Sequence, residues 1–325
     1  MRTPRFWQQR SILSTAVKPL ALLYRVGAWA DRRFTTVRHA TRPVISIGNV
    51  TAGGAGKTPT TMAVVAMLQT LGFTPHILTR GYKSHAPMHA HRVSVSDPWQ
   101  QVGDEAMLLA AAAPTWAGAN RLASADAAVA EGANVLVCDD ALQHHALHKD
   151  ISLLVIDGPY GIGNGKRLPA GPLREGLASA MARCDAIVLI GDDAQRLTAG
   201  APIPVFRAQL RPAADVAFLK GNRWLAFAGI GRPEKFYHSL RQLGAPVVST
   251  HDFPDHHHYS TADLNALLGE ATHHEARLIT TAKDAVKLPR EWLKNVHVLP
   301  IQLAFDDAPA LAEFLRSRLW SPSKP

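Results

Sequence analysis

Short, solid runs of apolar residues recur along this chain at 44–47, 75–78, 135–138, 153–156 and 186–190, separated by helical or loop-like sequence. Runs of that length suit strands buried on both faces, and their alternation with helical stretches predicts a parallel sheet with helices on both sides. Residues 60–71 have helical spacing, and the alanine-rich stretches 106–113 and 124–133 read as further helices.

Beyond residue 190 the pattern weakens. Pro202, Pro204 and Pro212 interrupt it, which predicts a linker over 201–222. A second α/β unit is then expected over 223–325. Its strands fall at 224–228, 246–249, 277–281 and 296–300, with helices at 233–243, 261–271 and 308–319.

The first 42 residues are different. Leu13, Val17, Leu20 and Tyr24 repeat at steps of four, three and four, a helical spacing that Pro19 kinks or divides. Nine Lys and Arg residues stand here against the single acid Asp31, a local charge of +8 in a chain whose net charge is +9. Lys18 and Arg25 interrupt every window long enough to span a bilayer, so the segment is expected to lie on an anionic membrane surface. The alternative is a helix packed on its own domain. No nucleic-acid-binding motif accompanies the charge. The composition, 47% hydrophobic over 325 residues, suffices for two cores, and two cysteines, Cys138 and Cys184, match neither a disulfide framework nor a zinc pattern. A reducing, cytoplasmic setting fits best.

Candidate chemistry begins where the first apolar run ends. Thr51, Ala52, Gly53, Gly54, Ala55, Gly56, Lys57 and Thr58 match a phosphate-binding P-loop at the Gly-Lys-Thr end, with Thr51 where the first glycine is expected. Such a loop turns successive N–H groups toward phosphate oxygens at the start of a helix. Lys57 would contact the β- and γ-phosphates of ATP, Thr58 would ligate Mg²⁺, and Pro59 sits where its missing N–H costs nothing. The run 135–138 ends in Asp139 and Asp140, either of which could reach Mg²⁺. Asp104 and Glu105 open the alanine-rich helix. Asp104 either accepts a proton or caps the helix, and spacing alone favours the cap. Residues 251–259 gather histidines and acids without the i, i+4 placement of a helical metal pair, so a histidine partnering a carboxylate base is the better functional reading. Membrane-bound ATPase switches with a deviant loop carry an extra lysine before the paired glycines; here that position is Ala52.

As a set, Gly48-Asn49-Val50 with residues 53–59, then 79–83 (Thr-Arg-Gly-Tyr-Lys), 102–105 (Val-Gly-Asp-Glu), 139–144 (Asp-Asp-Ala-Leu-Gln-His), 171–175 (Gly-Pro-Leu-Arg-Glu), 253–256 (Phe-Pro-Asp-His) and 281–284 (Thr-Ala-Lys-Asp) resemble the tetraacyldisaccharide 4′-kinase family. The resemblance runs from the N-terminal helix to about residue 300, and the family's loop likewise lacks the first glycine. It implies an α/β fold: a P-loop NTPase-type parallel sheet flanked by helices over 43–200, a smaller C-terminal α/β domain, and an amphipathic membrane-associated segment over 1–42. It also implies transfer of the γ-phosphate of ATP to the 4′-hydroxyl of tetraacyldisaccharide 1-phosphate, giving lipid IVA at the cytoplasmic face of the Gram-negative inner membrane. The expected partners are an acylated glucosamine disaccharide lipid and the anionic membrane surface, with neither nucleic acid nor an obligate protein partner. Carried over residue by residue, Asp104 and His256 become the base pair beside Lys57. Arg174 joins the loop in binding ATP, and Thr58, Asp139, Asp140 and Glu175 associate with Mg²⁺. Asn49, Arg80, Tyr82, Glu105, Gln143, His144 and His257 are further active-site candidates. Since His256 lies beyond the linker, closure of the two domains is expected.

Overall fold

The computed structural model describes residues 4–8, 12–81 and 90–320. The chain forms two compact units, one of Pro4–Leu210 together with residues from 303 onward, the other of Arg211–Gln302. The first contains strands β1 (Val44–Gly48), β2 (Pro75–Thr79), β3 (His91–Arg92), β4 (Thr115–Ala117), β5 (Val135–Asp139), β6 (Ile151–Asp157), β7 (Ala186–Ile190) and β8 (Val205–Pro212), the last running on across the boundary. Its helices are α1 (Ile12–Ala16), α2 (Lys18–Phe34), α3 (Lys57–Thr70), α4 (Trp99–Val102), α5 (Asp104–Ala110), α6 (Arg121–Ala130) and α7 (Leu177–Met181). The second unit holds β9 (Trp224–Ala228), α8 (Pro233–Gln242), β10 (Val247–Asp252), α9 (Thr261–His273), β11 (Arg277–Thr281), α10 (Ala282–Ala285) and β12 (Val296–Leu299). Strand β13 (Ile301–Phe305) and helix α11 (Ala308–Leu319) return the chain to the first.

Among the described residues the larger sheet has nine strands in the order β13-β8-β7-β6-β1-β5-β2-β4-β3. Strand β1 lies between β5 and β6, parallel to both, with Ile45 beside Val137 and Ile151. Every residue of β1, β2, β5, β6 and β7 is buried, which is why those strands read as solid apolar runs. Ile45, Ile47, Val137 and Val155 face Val64 and Leu68 of α3, Leu109 of α5, and Leu311 and Leu315 of α11. On the opposite face, Val44 and Leu136 meet Ala125 and Ala128 of α6, and Leu154 and Leu189 meet Ala180 and Met181 of α7. The smaller sheet, β10-β9-β11-β12, is parallel throughout. Tyr237 and Leu240 of α8 cover one of its faces, Leu264 and Leu267 of α9 the other.

The segment expected to be a linker contains β8, with Ala208 fully buried against the sheet. Its prolines bracket the strand: Pro204 precedes it and Pro212 ends it, positions a strand tolerates. The closing helix, read from the sequence as part of the C-terminal domain, packs on the larger sheet through Leu311 and Leu315. At the N-terminus the helix divides at Val17, and Pro19 falls in the first turn of α2, where it fits. Among the described residues no helix is long and apolar enough to cross a membrane.

Candidate active site

The turn after β1 can form because Gly48 has no side chain. A Cβ there would lie 2.5 Å from Leu142 Cβ and 2.8 Å from Leu142 N, in the segment that leaves β5. The loop then winds through left-handed backbone at Gly53 (φ 108°) and Gly56 (φ 84°), and α3 begins at Lys57. Thr51, in place of the first P-loop glycine, is extended and buried: it bridges Leu173, and its carbonyl and hydroxyl accept from Asn49 Nδ2 at 2.8 and 3.0 Å. Ala52 N donates to Pro172 O at 2.8 Å, and Arg174 N to Val50 O at 2.7 Å. The 171–175 motif is therefore laced to the entry of the phosphate loop.

Strand β5 delivers the two aspartates. Asp139 is buried, and its Oδ1 accepts from Thr61 Oγ1 of α3 at 2.7 Å. Asp140 takes a positive φ of 47°, unusual for a residue with a side chain. Lys57 Nζ lies 3.7 Å from its Oδ1, and Arg174 Nη1 lies 3.0 and 3.2 Å from its two oxygens. Burial alone would raise the Asp140 carboxyl, but the Lys57 and Arg174 cations outweigh it and hold the group below its usual range. For Asp139 burial wins. Desolvation, reinforced by the Glu105 and Asp140 carboxylates, pushes it up to about 7 despite the bond from Thr61 and the field of Lys57.

Glu105 and Asp104 open α5 after Gly103, whose φ of 95° makes the turn. Asp104 is not the cap. It is the first helical residue, 2% exposed, and its Oδ1 accepts from Glu105 N at 2.9 Å. The buried Asp139 carboxyl, with the Glu105 and Asp140 carboxylates acting on it, suits a hard cation. Among the described residues no three His, Cys, Asp or Glu side chains are grouped to hold a metal alone. Mg²⁺ asks for less, commonly one or two carboxylates with phosphate and water oxygens, and Thr58, at the start of α3, adds a hydroxyl to that oxygen set.

A polar ring joins the motifs. Gln143 Nε2 donates to Asn49 O at 2.9 Å and to Glu175 Oε1 at 3.0 Å, while its Oε1 accepts from Arg174 at 3.2 Å. Both oxygens of Glu175 are thereby engaged, the second by Arg183. His144 is held down to about 4 by burial and by the Arg121 and Lys149 cations, so its ring is neutral near pH 7. Arg80 is exposed just after β2, and Tyr82 lies outside the described residues.

Sequence reasoning missed Arg121. Fully buried at the start of α6, it donates to Leu78 O and to Asp139 O, the latter at 3.1 Å, tying the ends of β2 and β5 together. Its signal was an arginine in the first turn of a helix, where the macrodipole disfavours a cation.

In the second unit, His256 sits in left-handed backbone (φ 62°), donating its N–H to Gly229 O at 3.3 Å, with Nε2 3.6 Å from Asp255 Oδ2. His257 is occupied differently. Its Nε2 is 3.1 Å from Asp263, the capping-box residue of α9, and its ring stacks on Phe253 at 4.7 Å. Beneath both, Asp284 Oδ1 accepts from Gly229 N at 3.0 Å and Tyr259 Oη at 2.9 Å, and Lys287 Nζ stands 2.6 Å from it, the ion pair being fully buried. Lys287 was not read from the sequence, because a lone lysine ordinarily marks a solvated position.

The family model described as tetraacyldisaccharide-1-P 4′-kinase matches residues 13–320. The chain is similar to a tetraacyldisaccharide 4′-kinase of Paramagnetospirillum magneticum, 45% identical over 98% of this chain and 99% of that one. A Gluconobacter oxydans protein of the same name is 43% identical over 99% of each. The crystal structure of LpxK from Aquifex aeolicus in complex with ATP superimposes with a TM-score of 0.79 at 26% identity, covering 95% of this chain and 100% of that one.

Proposed function

The chain belongs to the tetraacyldisaccharide-1-P 4′-kinase family, and on that premise we propose the reaction that its geometry supports best. It is an ATP-dependent kinase of lipid A biosynthesis, transferring the γ-phosphate to the 4′-hydroxyl of tetraacyldisaccharide 1-phosphate to give lipid IVA. The observation that carries this reading is the convergence of Lys57 and Arg174 on Asp140, at the mouth of a glycine loop that opens a helix. Two cations and a row of backbone N–H groups are what a triphosphate requires.

Residues 51–58 cradle the phosphates, Lys57 and Arg174 bear on their charge, and Gln143, with Glu175 and Asn49, holds Arg174 in place. Asp139, Asp140 and Thr58 are the residues that would hold Mg²⁺, which when bound neutralises charge on the transferring phosphoryl group. Asp104, aligned by the Glu105 N–H, orients or deprotonates the acceptor hydroxyl, and we assign His256 to the same proton-handling step.

Helix α2 supplies the surface for a lipid substrate. Leu23, Trp29 and Phe34 are 68%, 62% and 76% exposed on a helix carrying Arg25, Arg32 and Arg33. Apolar side chains beside basic ones suit the headgroup boundary of an anionic bilayer, here the cytoplasmic face of the Gram-negative inner membrane. Supplying ATP labelled in the γ-phosphate together with the acyldisaccharide tests the assignment, since a kinase places label on lipid and an ATPase switch releases it as free phosphate.

A further inference from the structure

The loop 163–174 is fastened at two ends. Toward the active site, Pro172 O accepts from Ala52 N, Arg174 N donates to Val50 O, and Leu173 bridges Thr51. At its other end the fastening is to the first residues of the chain. Asn164 N donates to Trp7 O at 2.7 Å, Asn164 Nδ2 to Phe6 O at 2.9 Å, and Trp7 Nε1 to Pro169 O at 3.0 Å. Lys166 Nζ adds bonds to Ser14 Oγ at 2.7 Å and Thr15 Oγ1 at 3.2 Å.

Between the two ends the loop has little slack. Asn164 Nδ2 also donates to Ala170 O at 3.0 Å, Lys166 N to Asn164 Oδ1 at 3.0 Å, Leu173 N to Lys166 O at 3.1 Å, and Leu168 N to Leu173 O at 2.8 Å. A Cβ on Gly163 would lie 2.5 Å from Trp7 O, so the bare glycine admits the N-terminal backbone. A displacement at Trp7 is therefore carried to Pro172 and Arg174 by bonded groups.

We propose that Trp7 and Asn164 are positioning residues for the nucleotide site: Phe6, Trp7, Ser14 and Thr15 grip the loop 163–174 and thereby set Arg174 and the entry of the phosphate loop. The N-terminal segment is then part of the catalytic scaffold as well as the support of α2. This inference rests on the reading of residues 51–58 and Arg174 as the nucleotide site.

Two variants of the full chain test it. Trp7→Phe removes the indole N–H together with the five-membered ring that bears it, and Asn164→Asp removes the Nδ2 donors while keeping the acceptor for Lys166 N. Affinity for a fluorescent ATP analogue should weaken by about fivefold in Trp7→Phe, the worth of one hydrogen bond, and by more in Asn164→Asp, which loses the bonds to Phe6 O and Ala170 O. Hydrogen exchange at the Ala52 and Arg174 amides should quicken, while exchange in the central strands stays as in the wild type and the thermal midpoint falls by no more than a few degrees. Unchanged affinity and exchange at those amides in both variants would overturn the proposal, as would weakened binding accompanied by a general loss of protection and a larger fall in the midpoint. Failure of the wild-type chain to bind the analogue would instead remove the nucleotide-site reading, and this inference with it.

Discussion

Arg174 forks onto Asp140, its Nη1 lying 3.0 and 3.2 Å from the two carboxylate oxygens and its Nη2 3.3 Å from one of them. A guanidinium presents two parallel donors where an ammonium presents a point charge. Arg174→Lys should therefore raise the KM for ATP by roughly tenfold with a smaller change in kcat, as measured by steady-state kinetics with ATP varied. Lys57→Ala is expected to impair both parameters, because that charge serves the ground state and the transition state.

Asp104→Asn keeps the bond from Glu105 N but removes the basic carboxylate. Turnover should fall by about a hundredfold or more with little change in nucleotide affinity. His256→Ala should give a comparable loss of turnover. His257→Ala, which frees Asp263 and unstacks Phe253, should instead lower stability by about 1 kcal/mol in a denaturant titration and leave more of the activity.

The Asp139 carboxyl, pushed up to about 7 in the folded chain, gives a pH signature. A carboxyl raised by folding keeps its proton longer in the native state than in the unfolded one. Its contribution to stability is thus complete at low pH and is lost as pH rises through about 7. His144 acts oppositely: held down to about 4, it favours the native state increasingly as pH rises from that value toward the usual imidazole range. The difference between Asp139→Asn and wild type cancels the histidine term. Without Mg²⁺ or nucleotide, the wild type should lose stability relative to the variant between about pH 4 and 7 and change little above that, as read by thermal unfolding at each pH.

In the second unit the buried Asp284–Lys287 pair holds Gly229 and Tyr259, and through Gly229 the backbone of His256. Lys287→Met leaves an uncompensated buried carboxylate. It should cost about 3–5 kcal/mol of stability, the range for breaking a buried ion pair, measured by chemical denaturation.

These residues also mark how far the sequence could be read. Strands β1, β2, β5, β6 and β7 were legible because burial on both faces leaves a solid apolar run. Strand β8 was not, because Pro204 and Pro212 stand at its ends and only Ala208 of its residues is buried, so no apolar run or alternation marks it. Helix α11 was legible as a helix, but Leu311 and Leu315 do not say which sheet they cover. At the site, the phosphate loop and Asp139–Asp140 stood out because their chemistry is local in sequence. The bonds of Arg121 to Leu78 O, of Lys287 to Gly229 O and of Asn164 to Trp7 O join residues distant in the chain, and no spacing rule announces them.

What distinguishes this kinase from an ATPase is its acceptor, the 4′-hydroxyl of the lipid. Incubating the chain with γ-labelled ATP, Mg²⁺ and tetraacyldisaccharide 1-phosphate, then separating lipid from water-soluble products, tests it most directly. The account predicts label on the lipid at the 4′-position, in amounts matching ADP formed and lost in Lys57→Ala. Hydrolysis of ATP with all the label recovered as inorganic phosphate and none on lipid would contradict it.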